Sequence, residues 1–135
     1  MFNKTGIKKT TGAAPVQILF DVQNQVSVSI VVDDGYSVTR DGRKIVPAGT
    51  PLSGDLTARN TAFVKAIDNT AGSGSPSNGK AATGVLLHDV DVTDGDTNGT
   101  LLIWGFVDLN KIDTTTAALL TATRQGEMPS IKFLK

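Results

Sequence analysis

Along residues 25–34, QVSVSIVVDD, the side chains of Val26, Val28 and Ile30 alternate with Gln25, Ser27 and Ser29. That period of two places one face of a strand in a core and the other in water. In YSVTRDGRKIV, residues 36–46, the pair Asp41-Gly42 separates two strand-like runs. Glycine at such a position accepts the positive φ of a tight hairpin turn. Short apolar runs, VQILFD (16–21), AFVKAI (62–67) and IKFLK (131–135), predict further strands or docked segments. The strongest pattern is GVLLHDVDVT (84–93), then DGDTNG (94–99), then TLLIWGFVDL (100–109), which reads as two long strands of one hairpin about a glycine-rich turn. Strict alternation along the second of these puts Leu102, Trp104 and Phe106 on one face and Leu101, Ile103 and Val107 on the other. A strand apolar on both faces is expected to be covered twice, in a sandwich, a barrel or a subunit interface.

Between these runs the pattern stops. PAGTPLSGDL (47–56) holds two prolines and two glycines and predicts an ordered connector without regular structure. DNTAGSGSPSNGKAAT (68–83) has almost nothing to bury and predicts an exposed loop. DTTTAALLTATRQG (113–126) is the one stretch that predicts a helix, with Asp113 or Thr114 at its start, Arg124 in its last turn and Gly126 after it. MFNKTGIKKTTGAA (1–14) carries Lys4, Lys8 and Lys9, no acid and no apolar period, and reads as an extended arm. The expected organisation is that arm followed by one β-rich domain over residues 15–135.

Composition sharpens the class. All but one of the 13 acids are aspartate, and threonine and glycine are abundant, a bias toward strands and turns over helix surfaces. The expected fold is therefore mainly β: a compact, clip-like or barrel-like single domain with one short helix near the C-terminus. The 135 residues suffice for one core. Thirteen basic and 13 acidic residues cancel, removing the positive field by which nucleic-acid-binding domains hold phosphate. There is no cysteine, so disulfides and thiolate chemistry are excluded. Neither a secretory signal nor an apolar run long enough to span a membrane is evident, so the chain is expected to stay in the cytoplasm of the cell that makes it.

The candidate chemistry lies in HDVDVTDGDTNG (88–99), which crowds four aspartates beside the only histidine. Calcium loops of the EF-hand type need glycine at the sixth position and glutamate at the twelfth; starting at Asp89 or Asp91, neither register fits. An irregular cation site of Asp94, Asp96 and Asn98 stays open. Strand geometry offers a plainer account, with His88, Val90 and Val92 on one face and Asp89, Asp91 and Thr93 forming a solvated stripe on the other. No G-x-S-x-G elbow or phosphate loop is present, and aromatics to line a sugar cleft are few. No catalytic residue, cofactor or metal is expected. The arm has two readings: a solvated terminus, or a segment whose Phe2 and Ile7 let it add as a strand to a partner's sheet.

VPAGTPLSGDL, then ATGVLLHDVDVTDGDTNGTLLIWGFVDLNKI, a short alanine-rich helix and a closing IKFLK resemble the small head decoration proteins of tailed bacteriophages, over roughly residues 45–135. The resemblance implies a structural, non-enzymatic virion protein, made in the host cytoplasm and bound to the outer surface of the capsid. It implies the major capsid protein and other copies of itself, as a homotrimer, as partners, with neither nucleic acid nor membrane, and a role in stabilising the expanded shell. Carried onto this chain, capsid binding falls to an arm containing Phe2, Lys4, Ile7, Lys8 and Lys9. Leu102, Ile103, Trp104 and Phe106 are the expected core or subunit contacts. The competing expectation is a calcium- or carbohydrate-binding β module on a virion fibre or cell surface.

Overall fold

The apolar run at residues 100–109 becomes the centre of the molecule, a long strand β8 (Thr97–Asp108) against which most other strands lie. The computed structural model describes residues 17–66 and 80–135; the expected arm (1–14) and most of the expected glycine- and serine-rich loop lie outside them. The fold is mainly β, with 41% strand and 11% helix, as the composition predicts. Before β8 come β1 (Val26–Val32), β2 (Val38–Arg40), β3 (Arg43–Val46), β4 (Pro51–Ser53), β5 (Val64–Lys65), β6 (Gly84–Leu86) and β7 (Val90–Asp91). After it come a 3-10 turn (Leu109–Lys111), α1 (Thr114–Ala117), α2 (Ala122–Gly126) and β9 (Ile131–Leu134).

One sheet runs in the order β1-β8-β6-β4-β5, all antiparallel, and β9 adds parallel to β8. Its two ends meet. The Phe63 amide donates to the Val31 carbonyl at 2.7 Å, and the Asp33 amide donates to the Phe63 carbonyl at 2.9 Å. These bonds roll the sheet into a barrel and satisfy edge groups that would otherwise face water. A second sheet, β2-β3-β7, caps it. Its β2–β3 hairpin turns at Asp41-Gly42, with φ of 51° and 77°, the two-residue turn expected from the sequence.

The double-faced β8 is explained inside the chain. Leu101, Leu86, Phe63, Leu52 and Val32 fill the barrel. Leu102, Val85, Leu87 and Val107 face the opposite way, into a second core closed by Leu120, Met128 and Ile131. Neighbouring residues of β6 and β8 thus point into two different cores, so the strands at the centre read as continuous apolar runs.

Several expectations need correction. Residues 84–93 are not one strand of a long hairpin: β6 pairs with β8, the chain bends at His88 and Asp89, and β7 joins β3 in the other sheet. Val90 and Val92 still reach the barrel core, but His88 is exposed at the bend instead of sharing their face. Residues 47–56 are not wholly irregular, since Pro51 opens β4, a first-strand position where its missing N–H is tolerated. The helix expected over 113–126 is two, of four and five residues. The first ends at Ala117, and Thr121 caps the second, its hydroxyl accepting from the Arg124 amide at 3.2 Å. Residues 18–20 form a docked segment with a single bridge, Leu19 to Val107, one of the two outcomes expected for that run.

Candidate interaction surface

The acidic segment resolves into structural pairs. The carboxylate of Asp89 accepts from the Ala48 amide at 2.7 Å and from Arg40 Nη1 at 2.9 Å, fixing the bend. Asp91 accepts from Arg43 Nε, from the Thr93 amide at 2.9 Å and from the Thr93 hydroxyl at 2.6 Å. Asp89 and Asp91 face solvent, as expected, and form two surface ion pairs that tie the β2–β3 hairpin to the bend and β7. Arg43, with the Thr93 hydroxyl and amide, holds the Asp91 carboxyl down to about 2 from its ordinary 3.8. A folded value below the unfolded one stabilises the fold above the unfolded value, and that stabilisation is lost as the pH falls through the interval between them. The melting-temperature difference between the parent protein and Asp91→Asn should accordingly be constant from neutral pH down to about pH 5 and shrink between about pH 4 and 2. A difference that does not vary with pH would contradict the pairing.

The turn acids divide. Asp96 lies with Asp33 and Asp34, their carboxylate oxygens within 4.8 Å of one another, while Asp94 is not part of that group. Asp96 accepts from the Asp34 amide at 3.0 Å, and Asp33 from the Gly35 amide at 2.7 Å. The turn's own backbone thus engages two of the three carboxylates.

The apolar exposure gathers elsewhere. Residues 18–20 lie against the end of β8: the Phe20 amide donates to the Phe106 carbonyl and the Asp108 amide to the Ile18 carbonyl, both at 2.9 Å. On the other side β9 pairs Phe106 with Lys132 and Asp108 with Leu134. In this small sheet Leu19, Val107, Ile131 and Phe133 pack on the core. The alternate positions, Phe20, Phe106, Lys132 and Leu134, line an outward groove of about 280 Å³ together with Asp21. Trp104 continues the row, its ring 6.4 Å from that of Phe106 and edge-on at 68°, and Val26 lies opposite Trp104 across the strands. Phe20 is 60% exposed, Val22 54%, Val26 48% and Trp104 45%. Exposed aliphatic and aromatic side chains scattered singly are ordinary, whereas a contiguous row marks a surface for contact.

A change of parity creates this surface. Val26 pairs with Trp104 but Ser27 with Leu102, so Ile103 is an extra residue on β8. Such a bulge shifts which side chains share a face. Leu102 and Val107 therefore enter the same core, while Trp104 turns outward. Gly105 follows the bulge with φ of 147°, a conformation that disfavours any residue with a Cβ. Of the four expected contacts, Leu102 is fully buried, Ile103 packs partly buried against the barrel core, Trp104 is exposed and Phe106 is half-buried. Strict alternation also misplaced Val26, which is half-exposed while Val28 is partly buried and Ile30 is buried. Phe2, Lys4, Ile7, Lys8 and Lys9 lie outside the described residues.

No protein-family model and no curated protein matches the chain. The surface must therefore be read from its own residues. Phe20, Val22 and Leu134 were missed because their runs are too short to show a period. The only sequence signal was Gly105 in the middle of an otherwise apolar strand, which often marks a bulge. A larger hollow of about 510 Å³ beside β1 is mostly polar, lined by Ser29, Thr57, Arg59, Asn60 and Asn98 among others. Its Arg59 already donates to the Ser29 carbonyl at 2.9 Å. Among the described residues no helix is long and apolar enough to cross a membrane.

Proposed function

We propose that this chain is a structural virion protein that binds the outer surface of a tailed-bacteriophage capsid and stabilises the expanded shell by bridging capsid subunits. The observation that carries the reading is the outward row of Phe20, Val26, Trp104 and Phe106 on a hydrogen-bonded sheet. A rigid apolar face costs little entropy to cover and suits protein contact. The polar side chains of the acidic segment support the same reading, because Asp89, Asp91 and Asp96 are engaged in holding turns and sheets together. The resemblance of residues 45–135 to head decoration proteins supplies the partner: the major capsid protein, engaged by a trimer of this chain.

In this proposal the basic arm is the anchor. Phe2 and Ile7 would seat in the shell, and Lys4, Lys8 and Lys9 would pair with its acids. Several arms on one assembly bind together, so modest contacts multiply into firm attachment. Deleting residues 2–12 should leave the β domain folded by circular dichroism and its self-assembly unchanged, yet weaken co-sedimentation with expanded, undecorated shells by about tenfold or more. Undiminished binding of the truncated chain would remove the arm from the mechanism. A full-length chain that never sediments with such shells would overturn the proposal itself.

A further inference from the structure

The groove beside Phe106 has a charge at each flank. Asp21 stands where the chain enters, and Lys132 stands on β9. Asp21 is locked in place: its carboxylate accepts from Asn24 Nδ2 at 2.7 Å and from the Gln23 amide at 3.0 Å. A face with an acid on one flank, a base on the other and an apolar middle can meet the same face of a neighbouring copy acid to base, either reciprocally about a two-fold axis or in turn around the three-fold axis of the proposed trimer. The chain as a whole is neutral, with 13 residues of each sign, so no net charge opposes the approach of two copies.

The area fits as well. Aromatic side chains carry about 150–250 Å² each, so the exposed parts of Phe20, Val26, Trp104 and their neighbours come to on the order of 400 Å² of apolar surface. A standard interface covers about 800 Å² on each partner, a little over half of it apolar. We infer that this sheet face is covered by a second copy of the same chain, the Asp21 flank of one against the Lys132 flank of the other. This assigns a surface to the self-assembly in the proposed function, and to that extent it rests on that reading, but the contact forms without shells.

Trp104 is the only tryptophan, which makes its fluorescence a probe of the contact. Sedimentation velocity of the full chain over a wide concentration range should show reversible association. Trp104 emission should move to shorter wavelength, and its quenching by acrylamide should fall, in step with that association. Phe20→Ser, at the most exposed position, should weaken association by about tenfold or more while leaving the fold intact. Lys132→Glu should do the same, and the charge-swapped chain carrying both Asp21→Lys and Lys132→Glu should recover it. If Asp21→Lys disturbs the turn, Asp21→Asn keeps the turn's acceptor and should weaken association alone. A monomer at every concentration would overturn the inference, as would association that leaves Trp104 emission unchanged or survives both Phe20→Ser and Lys132→Glu. If deleting residues 2–12 exposed Trp104 in the dilute monomer, the arm would be the occupant and the inference would fall. Shell binding by a chain that stays monomeric would refute this contact and the trimer but leave capsid binding standing, whereas self-association with no shell binding would do the reverse.

Discussion

Replacing Phe63 with alanine should lower the unfolding free energy by about 3–5 kcal/mol, the range for a fully buried phenylalanine. Its side chain has no exposed surface and fills the barrel with Leu52, Leu86 and Leu101. Its backbone carries both hydrogen bonds that join the last strand of the sheet to the first. The substitution removes the ring but leaves those bonds, so the barrel keeps its seam while losing what holds the seam against the core. Neighbouring side chains can refill the void only in part, because β6 and β8 are already packed on their other face by Val85 and Leu102. Urea denaturation followed by circular dichroism measures the loss. A cost below about 1 kcal/mol would mean that the barrel interior collapses freely, contrary to the closure described above.

The second large effect is a contrast within one strand. Leu102→Ala should cost about 2–5 kcal/mol, whereas Trp104→Ala, two residues on, should cost the isolated fold less than about 1 kcal/mol. Simple alternation would put both side chains on one face. The bulge at Ile103 separates them: Leu102 is fully buried and Trp104 is 45% exposed. Equal costs would show that Trp104 belongs to the core of the single chain and would remove the reason to look for something that covers it. Trp104→Ala should instead show its effect on association and shell binding.

The class of fold and several elements were legible because their signals are local. The alternation at residues 25–34 produced β1, Asp41-Gly42 produced the β2–β3 turn, and the doubly apolar run at 100–109 became a strand that lies, with β6, between two cores. Errors occurred where the deciding partner was distant. Nothing in GVLLHDVDVT marks a change of sheet at His88 and Asp89, because alternation continues through it. The bend depends on Ala48 and Arg40, 41 and 49 residues away from Asp89. The acids of the same segment do face solvent, as expected, but their partners were not legible for the same reason, since the arginines that meet them stand on another hairpin. The break between α1 and α2 was not read from the alanine-rich run, in which Thr121, the cap of α2, passes for an ordinary interior residue.

The outward apolar row was half legible. Trp104 and Phe106 were singled out, but with Leu102 and on the assumption of an unbroken strand. Phe20, Val26 and Leu134 join them only through pairing of the chain's two ends with β8.

Electron cryo-microscopy of expanded, undecorated phage heads incubated with the full-length chain tests the central claim most directly. The account predicts added density at regular positions on the shell, with the face bearing Trp104 and Phe106 covered by a neighbouring copy. Bare shells, or bound chains whose Trp104 face looks out into solvent, would contradict it.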